Sequence, residues 1–171
     1  MKKMIRLALV AGAVAAVASV LAIAVRAEST NHANRLHATF HETNVSVTNR
    51  IADLGVFQLI NTGTGTLDGF GAATMTIGVT QDRSVHPCGP GSWTNAAVRR
   101  ITVEAGVLVI RELAYVCQTA SGPVASARWS VDGGSSTGVF AGARGSGDES
   151  VDLTTGISTQ SGSLHLAGDG D

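Results

Sequence analysis

The chain has 171 residues, 44% of them hydrophobic and only 4% aromatic, with 12 basic and 13 acidic side chains. That is enough for one domain with its own core and too apolar for disorder. Once residues 1–27 are set aside, eight arginines and no lysine face 13 acids, a formal charge near −5; such a domain is a poor fit to nucleic acid or anionic lipid.

Lys2, Lys3 and Arg6 precede an unbroken apolar run from Leu7 to Val25, and Val25-Arg26-Ala27 offers a cleavage site. This pattern predicts a signal peptide over 1–27, cut after Ala27, and hence a secreted protein. The run is also long enough to span a bilayer, so an uncleaved membrane anchor is the rival. Its weakly hydrophobic Ala/Val make-up favours cleavage. Residues 28–35 are polar and read as a flexible segment, leaving 36–167 as the folded domain.

Leu36 to Phe40 and Val45 to Val47 read as short strand pieces, and Val56 to Ile60 as another, closed by the turn-rich Asn61 to Gly65. From Thr66 to Thr80 the residues alternate: Ala73, Met75, Ile77 and Val79 on one face, Thr74, Thr76, Gly78 and Thr80 on the other. That is a half-buried antiparallel strand. Gln81 to Asn95, with Pro87, Gly89, Pro90 and Gly91, is the one long irregular segment, and such loops are often functional. Ala97 to Val103 and Val107 to Val116 form a hairpin through Glu104-Ala105-Gly106. The second of these is apolar on both faces: Val107, Val109, Leu113 and Tyr115 on one, Leu108, Ile110, Ala114 and Val116 on the other. Its outer side then needs a cover, from a loop, a terminus such as Leu36 to Phe40, or another subunit. Val124 to Val131, Glu149 to Leu153 and Ser163 to Ala167 complete the strands, with Gly133 to Gly147 between the first two and alternation read from Val139 onward. Strands at this spacing with no helix after the signal indicate a barrel or a sandwich.

Cys88 and Cys117 are the two cysteines of a chain expected to be exported, so they read first as one disulfide. Closing that loop is worth roughly 3–4 kcal/mol. Gly134-Ser135-Ser136-Thr137-Gly138 matches the nucleophile-elbow pattern, with Asp152 and His165 following, but no helix follows it; a polar hairpin loop is the better reading. His37 and His41 share a strand face without a third ligand, so no metal site is expected. The glycine pairs lack phosphate-loop spacing, and no cofactor is indicated. Trp129 falls on the core phase. Trp93, in the Gly/Pro loop, is the ligand-contact candidate.

Val131-Asp132-Gly133-Gly134 followed by Thr137-Gly138-Val139-Phe140-Ala141-Gly142-Ala143-Arg144-Gly145-Ser146-Gly147 resembles the glycine-rich strand pair of the allene oxide cyclase barrel-like and dirigent-like superfamily. The resemblance covers about residues 66 to 167. It implies an all-β fold, a single eight-stranded antiparallel β-barrel with a lumen, and assembly as a homo-oligomer, a trimer by analogy. It transfers no catalytic residue, because the motif is architectural.

The expected function is binding of a small apolar or amphipathic ligand in the lumen or its mouth. Trp93, Glu104, Glu112 and Tyr115 are the ligand-site candidates. The alternatives are a cyclase-like or dirigent-like enzyme guiding a reactive intermediate, and an envelope interaction protein without a ligand. A buried acid with a raised pKa would mark the enzyme, an empty apolar cavity the binder, and a filled lumen with an apolar outer patch the interaction protein.

Overall fold

The computed structural model describes residues 35–51 and 54–168. The signal peptide and cleavage site expected from the sequence, and residues 28–34, lie outside this range. Eight strands form the wall: β1 (Leu36–Ile51), β2 (Val56–Leu67), β3 (Gly71–Asp82), β4 (Trp93–Val103), β5 (Gly106–Thr119), β6 (Gly122–Val131), β8 (Arg144–Asp152) and β9 (Ile157–His165). The two-residue β7 (Thr137–Gly138) lies outside that wall, against Gly106 and Val107 of β5. Each of the eight pairs antiparallel with two neighbours, and the β4–β5 ladder and the β1–β9 ladder close the ring. The single antiparallel eight-stranded barrel is therefore shown.

Strict alternation builds it. Ala73, Met75, Ile77 and Val79 are buried while Thr74, Thr76, Gly78 and Thr80 are exposed, as a sheet with one face on the core requires. One end is packed shut. Leu36, Leu67, Ile101, Leu108, Ile110 and Trp129 belong to a continuous buried cluster there. Phe140, fully buried, seals it with its ring 4.7 Å from that of Phe70. The Trp129 indole lies over Gly147 and Gly162, ladder partners on β8 and β9, where any β-carbon would strike the ring. The other end carries only a small cluster of Val116, Ala125 and Val151, with Trp93 packed against it.

Several boundaries differ from the sequence reading. The two pieces at Leu36 and Val45 are one 16-residue strand, kept in register by two irregularities between Asn44 and Asn49. Asn61 to Gly65 is strand, not turn: Gly63 and Gly65 lie so close to the β1 backbone that a side chain there would clash with it. The reverse holds at Asp68 to Phe70, a turn that divides the run read as Thr66 to Thr80 between β2 and β3. Val139 to Gly142 is turn as well, because Gly138 and Gly142 adopt positive φ values of 65° and 73°. Its backbone folds on itself, with Phe140 N–H donating to Thr137 and Ala143 N–H to Phe140.

The residues just before that turn, Ser136 to Gly138, are what covers β5. Leu36 to Phe40 is barrel wall, not a cover. Ser136 Oγ accepts from Val109 N–H at 2.9 Å and donates to the Asp132 carbonyl at 2.8 Å, and Val109 is 1% exposed beneath it. The serine of the elbow pattern is thus a buried stitch between a turn and a strand. Beyond its reach Leu113 and Tyr115 remain exposed.

Candidate functional site

Count inward along β4 from the open end and the lumen-facing residues are Trp93, Asn95, Ala97 and Arg99, then Ile101 and Val103. A guanidinium thus sits in the middle of an apolar row, 1% exposed. Isolated burial of a charge is prohibitive, so it must be paired. Three other strands supply the partners on their own inward phase: Glu42 after Leu36, Ala38 and Phe40 on β1; Glu112 between Ile110 and Ala114 on β5; Glu149 between Gly147 and Val151 on β8.

Arg99 Nε donates to Glu112 Oε1 at 2.7 Å, and Nη2 reaches Glu112 Oε2 at 3.4 Å and Glu149 Oε1. Nη1 donates to Glu42 Oε1 at 2.7 Å and reaches Ser158 Oγ at 3.3 Å and Met75 Sδ at 3.1 Å. Gln160, fully buried, donates from Nε2 to Glu112 and Glu149, both at 3.3 Å. The result is a polar plate across the barrel between the two apolar clusters.

Its electrostatics are lopsided, with three carboxyl groups on one cation. Burial alone would drive Arg99 toward its neutral form; Glu112, Glu149 and Glu42 together outweigh it and hold the guanidinium charged, its pKa above the ordinary value. For Glu149, burial pushes the carboxyl up, Arg99 pulls it back, and Glu112 and Glu42 push it up again, to about 8. Glu149 therefore carries a proton at neutral pH, with Glu112 as a hydrogen-bond partner.

Above the plate, toward the open end, β4, β5 and β6 carry small inward side chains, while β2 and β3 bring Leu59 and Val79 to the same level. Ala97 pairs with Glu112, Ala114 with Asn95 and Ala127, and Ala125 with Val116. Four buried polar atoms have no protein partner among the described residues: Asn61 Oδ1, Trp93 Nε1, Asn95 Oδ1 and Gln160 Oε1. At the rim the Arg83 guanidinium lies over both the Phe57 and the Trp93 rings, 5.0 and 4.8 Å from their centroids.

Of the four residues expected at the ligand site, the barrel brings two toward one space. Glu112 is in the plate. Trp93 is the first residue of β4 and not a loop residue, half-buried at the rim. Glu104 stands exposed in the β4–β5 turn at the packed end, because the hairpin ends one residue before it. Tyr115 is exposed on the outer wall, since its place in the alternation is opposite to that of Glu112. Arg99, Glu42, Glu149, Gln160, Asn61 and Asn95 were not singled out from sequence. Their signal is a charge or amide on the inward phase of a strand.

Outside the barrel, two adjacent grooves of about 630 and 440 Å3 run along β3, β4 and β5, the larger reaching β6, and both touch Leu113. The Arg111–Asp132 ion pair, at 2.6 Å, closes one side of this wall. His37 and His41 point outward and are exposed, and no three metal-binding side chains cluster among the described residues. Cys88 and Cys117 are joined as a disulfide, Cα atoms 5.6 Å apart, which ties the Gly/Pro loop to the open end of β5 and suits an oxidising compartment.

A closed barrel with a charged plate across its lumen is the class of molecule these features define. Compared with protein-family models, curated proteins and solved structures, the chain matches none.

Proposed function

We propose that the protein is an exported barrel that holds a small amphipathic molecule in the open half of its lumen. The four unpartnered polar atoms carry this reading. Each buried polar atom left unpaired costs roughly 1–3 kcal/mol, so four facing one lumen mark a space that something polar completes. Ala97, Ala114, Ala125 and Ala127 keep the inward side chains of β4, β5 and β6 short, Arg99 and its glutamates form the floor, and Trp93 and Phe57 supply aromatic surface at the rim. Mass spectrometry of an organic extract of the secreted protein should find a small molecule near stoichiometric amount, lost from the Ala114→Phe variant that fills the cup. No difference between the two extracts would overturn the reading.

A second reading, a cyclase-like or dirigent-like enzyme, is favoured by Glu149, an acid inside a barrel whose pKa is pushed to about 8. Kinship with that superfamily rests on the glycine-rich motif. Export and cleavage after Ala27 rest on the N-terminal sequence, with the disulfide in keeping. The exposed Leu113 and Tyr115 beside the outer grooves support self-association of the barrels, as a trimer by analogy. Light scattering giving a monomer mass at tens of micromolar would remove that proposal.

A further inference from the structure

Building on the proposed cup, we infer that its ligand binds through a cationic hydrogen-bond donor, a protonated amine, seated on the plate with its apolar part toward Trp93.

The donor and acceptor inventory leads there. A guanidinium has five N–H donors and no acceptor. Those of Arg99 are spent on Glu112, Glu149, Glu42, Ser158 and Met75. Among the described residues it is the one positively charged side chain that is buried, so no free buried cation there awaits a carboxylate or phosphate. Three of the four unpartnered atoms are instead acceptors: Asn61 Oδ1, Asn95 Oδ1 and Gln160 Oε1. At Gln160, Nε2 faces Glu112 and Glu149, which leaves Oε1 as the acceptor without a partner. This residue is fully buried, so its acceptor is the deepest unmet demand in the lumen. The plate around it holds three carboxyl groups against one guanidinium, and a cation near it relieves that excess. An ammonium group supplies three donors and a positive charge together. The fourth atom, Trp93 Nε1, is a donor at the rim, and it suits a hydroxyl, ether or carbonyl oxygen further along the ligand.

The groups around Glu149 are Arg99 from β4, Glu112 from β5, Glu42 from β1, and Gln160 and Ser158 from β9. An arriving cation favours the ionised form of Glu149, so amine binding releases a proton to solvent and strengthens as pH rises toward 8.

Three eight-carbon probes separate the terms on the whole secreted protein: octylamine, octanol and octanoate, titrated by calorimetry at pH 7.5 with the Trp93 fluorescence as a second readout. Octylamine is expected to bind roughly tenfold more tightly than octanol, the scale of one charge-assisted hydrogen bond, and octanoate most weakly. The variant Gln160→Leu should lose about that tenfold for octylamine and leave octanol unchanged; Asn95→Leu, nearer the rim, serves where Gln160→Leu does not fold. Octanoate or octanol binding as tightly as octylamine overturns the cationic inference and leaves the cup standing. No binding by any of the three overturns the cup and the inference with it.

Discussion

The two ends of this barrel are made by the same strands and differ in what those strands point inward. At the packed end, β4 and β5 contribute Ile101, Val103, Leu108 and Ile110, and Phe140 closes the lumen over them. Two to four residues further along, the same rows hold Arg99 and Glu112, then alanines, and finally Trp93 and Val116. The contrast separates two tasks. The apolar end supplies burial that holds the fold, at roughly 25 cal/mol per Å2 of apolar surface removed from water. The polar plate spends part of that gain on a buried ion cluster, a poor source of net stability but a well-defined one. A barrel built for stability alone has no use for a lumen with four unpaired polar atoms.

The largest expected effect breaks the plate. Arg99→Met removes the one cation that the described residues place against Glu42, Glu112 and Glu149 and leaves three buried carboxyl groups without it. A loss of about 3–5 kcal/mol at pH 7.5 in urea unfolding is the expected outcome, enough to unfold a marginal domain. The deficit should grow as pH rises past about 8, where Glu149 ionises beside Arg99 in the native protein but has no cation to face in the variant. A loss below about 1 kcal/mol would mean the cluster relaxes into water that enters from the open end.

At the packed end, Phe140→Ala should cost about 3 kcal/mol by removing a fully buried ring from its contact with Phe70. Here the loss should be the same at pH 5 and pH 8, since the cluster around that ring is apolar. An equal pH dependence in the two variants would erase the distinction between the ends.

A smaller effect sharpens it. In the folded protein Glu149 keeps its proton up to about pH 8, whereas unfolded glutamate loses it near 4.5. Between those values the native state binds the extra proton, so its stability falls as pH rises through the window and levels off above it. Between pH 6 and 8 the drop should be roughly 2 kcal/mol, read from urea midpoints. In Glu149→Gln the slope should vanish. Asp82, Asp132 and Asp152, held low chiefly by hydrogen bonds with nearby turn residues and, for Asp132, with Arg111, act only in acid and do not enter this window.

Much of the wall was legible because alternation is a local signal: Ala73 to Val79 and the β4–β5 hairpin could be read residue by residue. Ring closure is not local, and the strand number came from a resemblance. The glycine-rich segment misled because Val139, Ala141 and Ala143 alternate in name, while the positive φ angles at Gly138 and Gly142 break the strand. The plate was missed for a different reason. Arg99 beside Arg100 reads as a solvent-facing pair, and only the phase set by Ala97 and Ile101 turns the first inward. Glu149 follows Gly145 and Gly147, which carry no hydrophobic signal to set a phase. Their convergence spans 57 residues between Glu42 and Arg99 and 50 between Arg99 and Glu149, a distance that no local pattern encodes.

The smallest effect tests whether position or chemistry makes an acid matter here. Glu104 and Glu112 are the same side chain on the same hairpin. Glu104 ends in solvent at the packed end, beyond the last ladder pair, and Glu112 is 4% exposed on Arg99. Glu104→Gln should change stability by less than about 0.5 kcal/mol, the usual range for an exposed substitution away from a cap or ion pair. It should also leave octylamine affinity unchanged, because water and salt screen a charge at the far end of the barrel from the cup. Glu112→Gln keeps the shape but removes a charge-assisted partner of Arg99, so it should lower both stability and octylamine affinity. Urea midpoints and calorimetric titration of the two variants, measured side by side, decide the matter. If Glu104→Gln weakens octylamine as much as Glu112→Gln does, the attraction is the net acidity of the whole domain and not the plate.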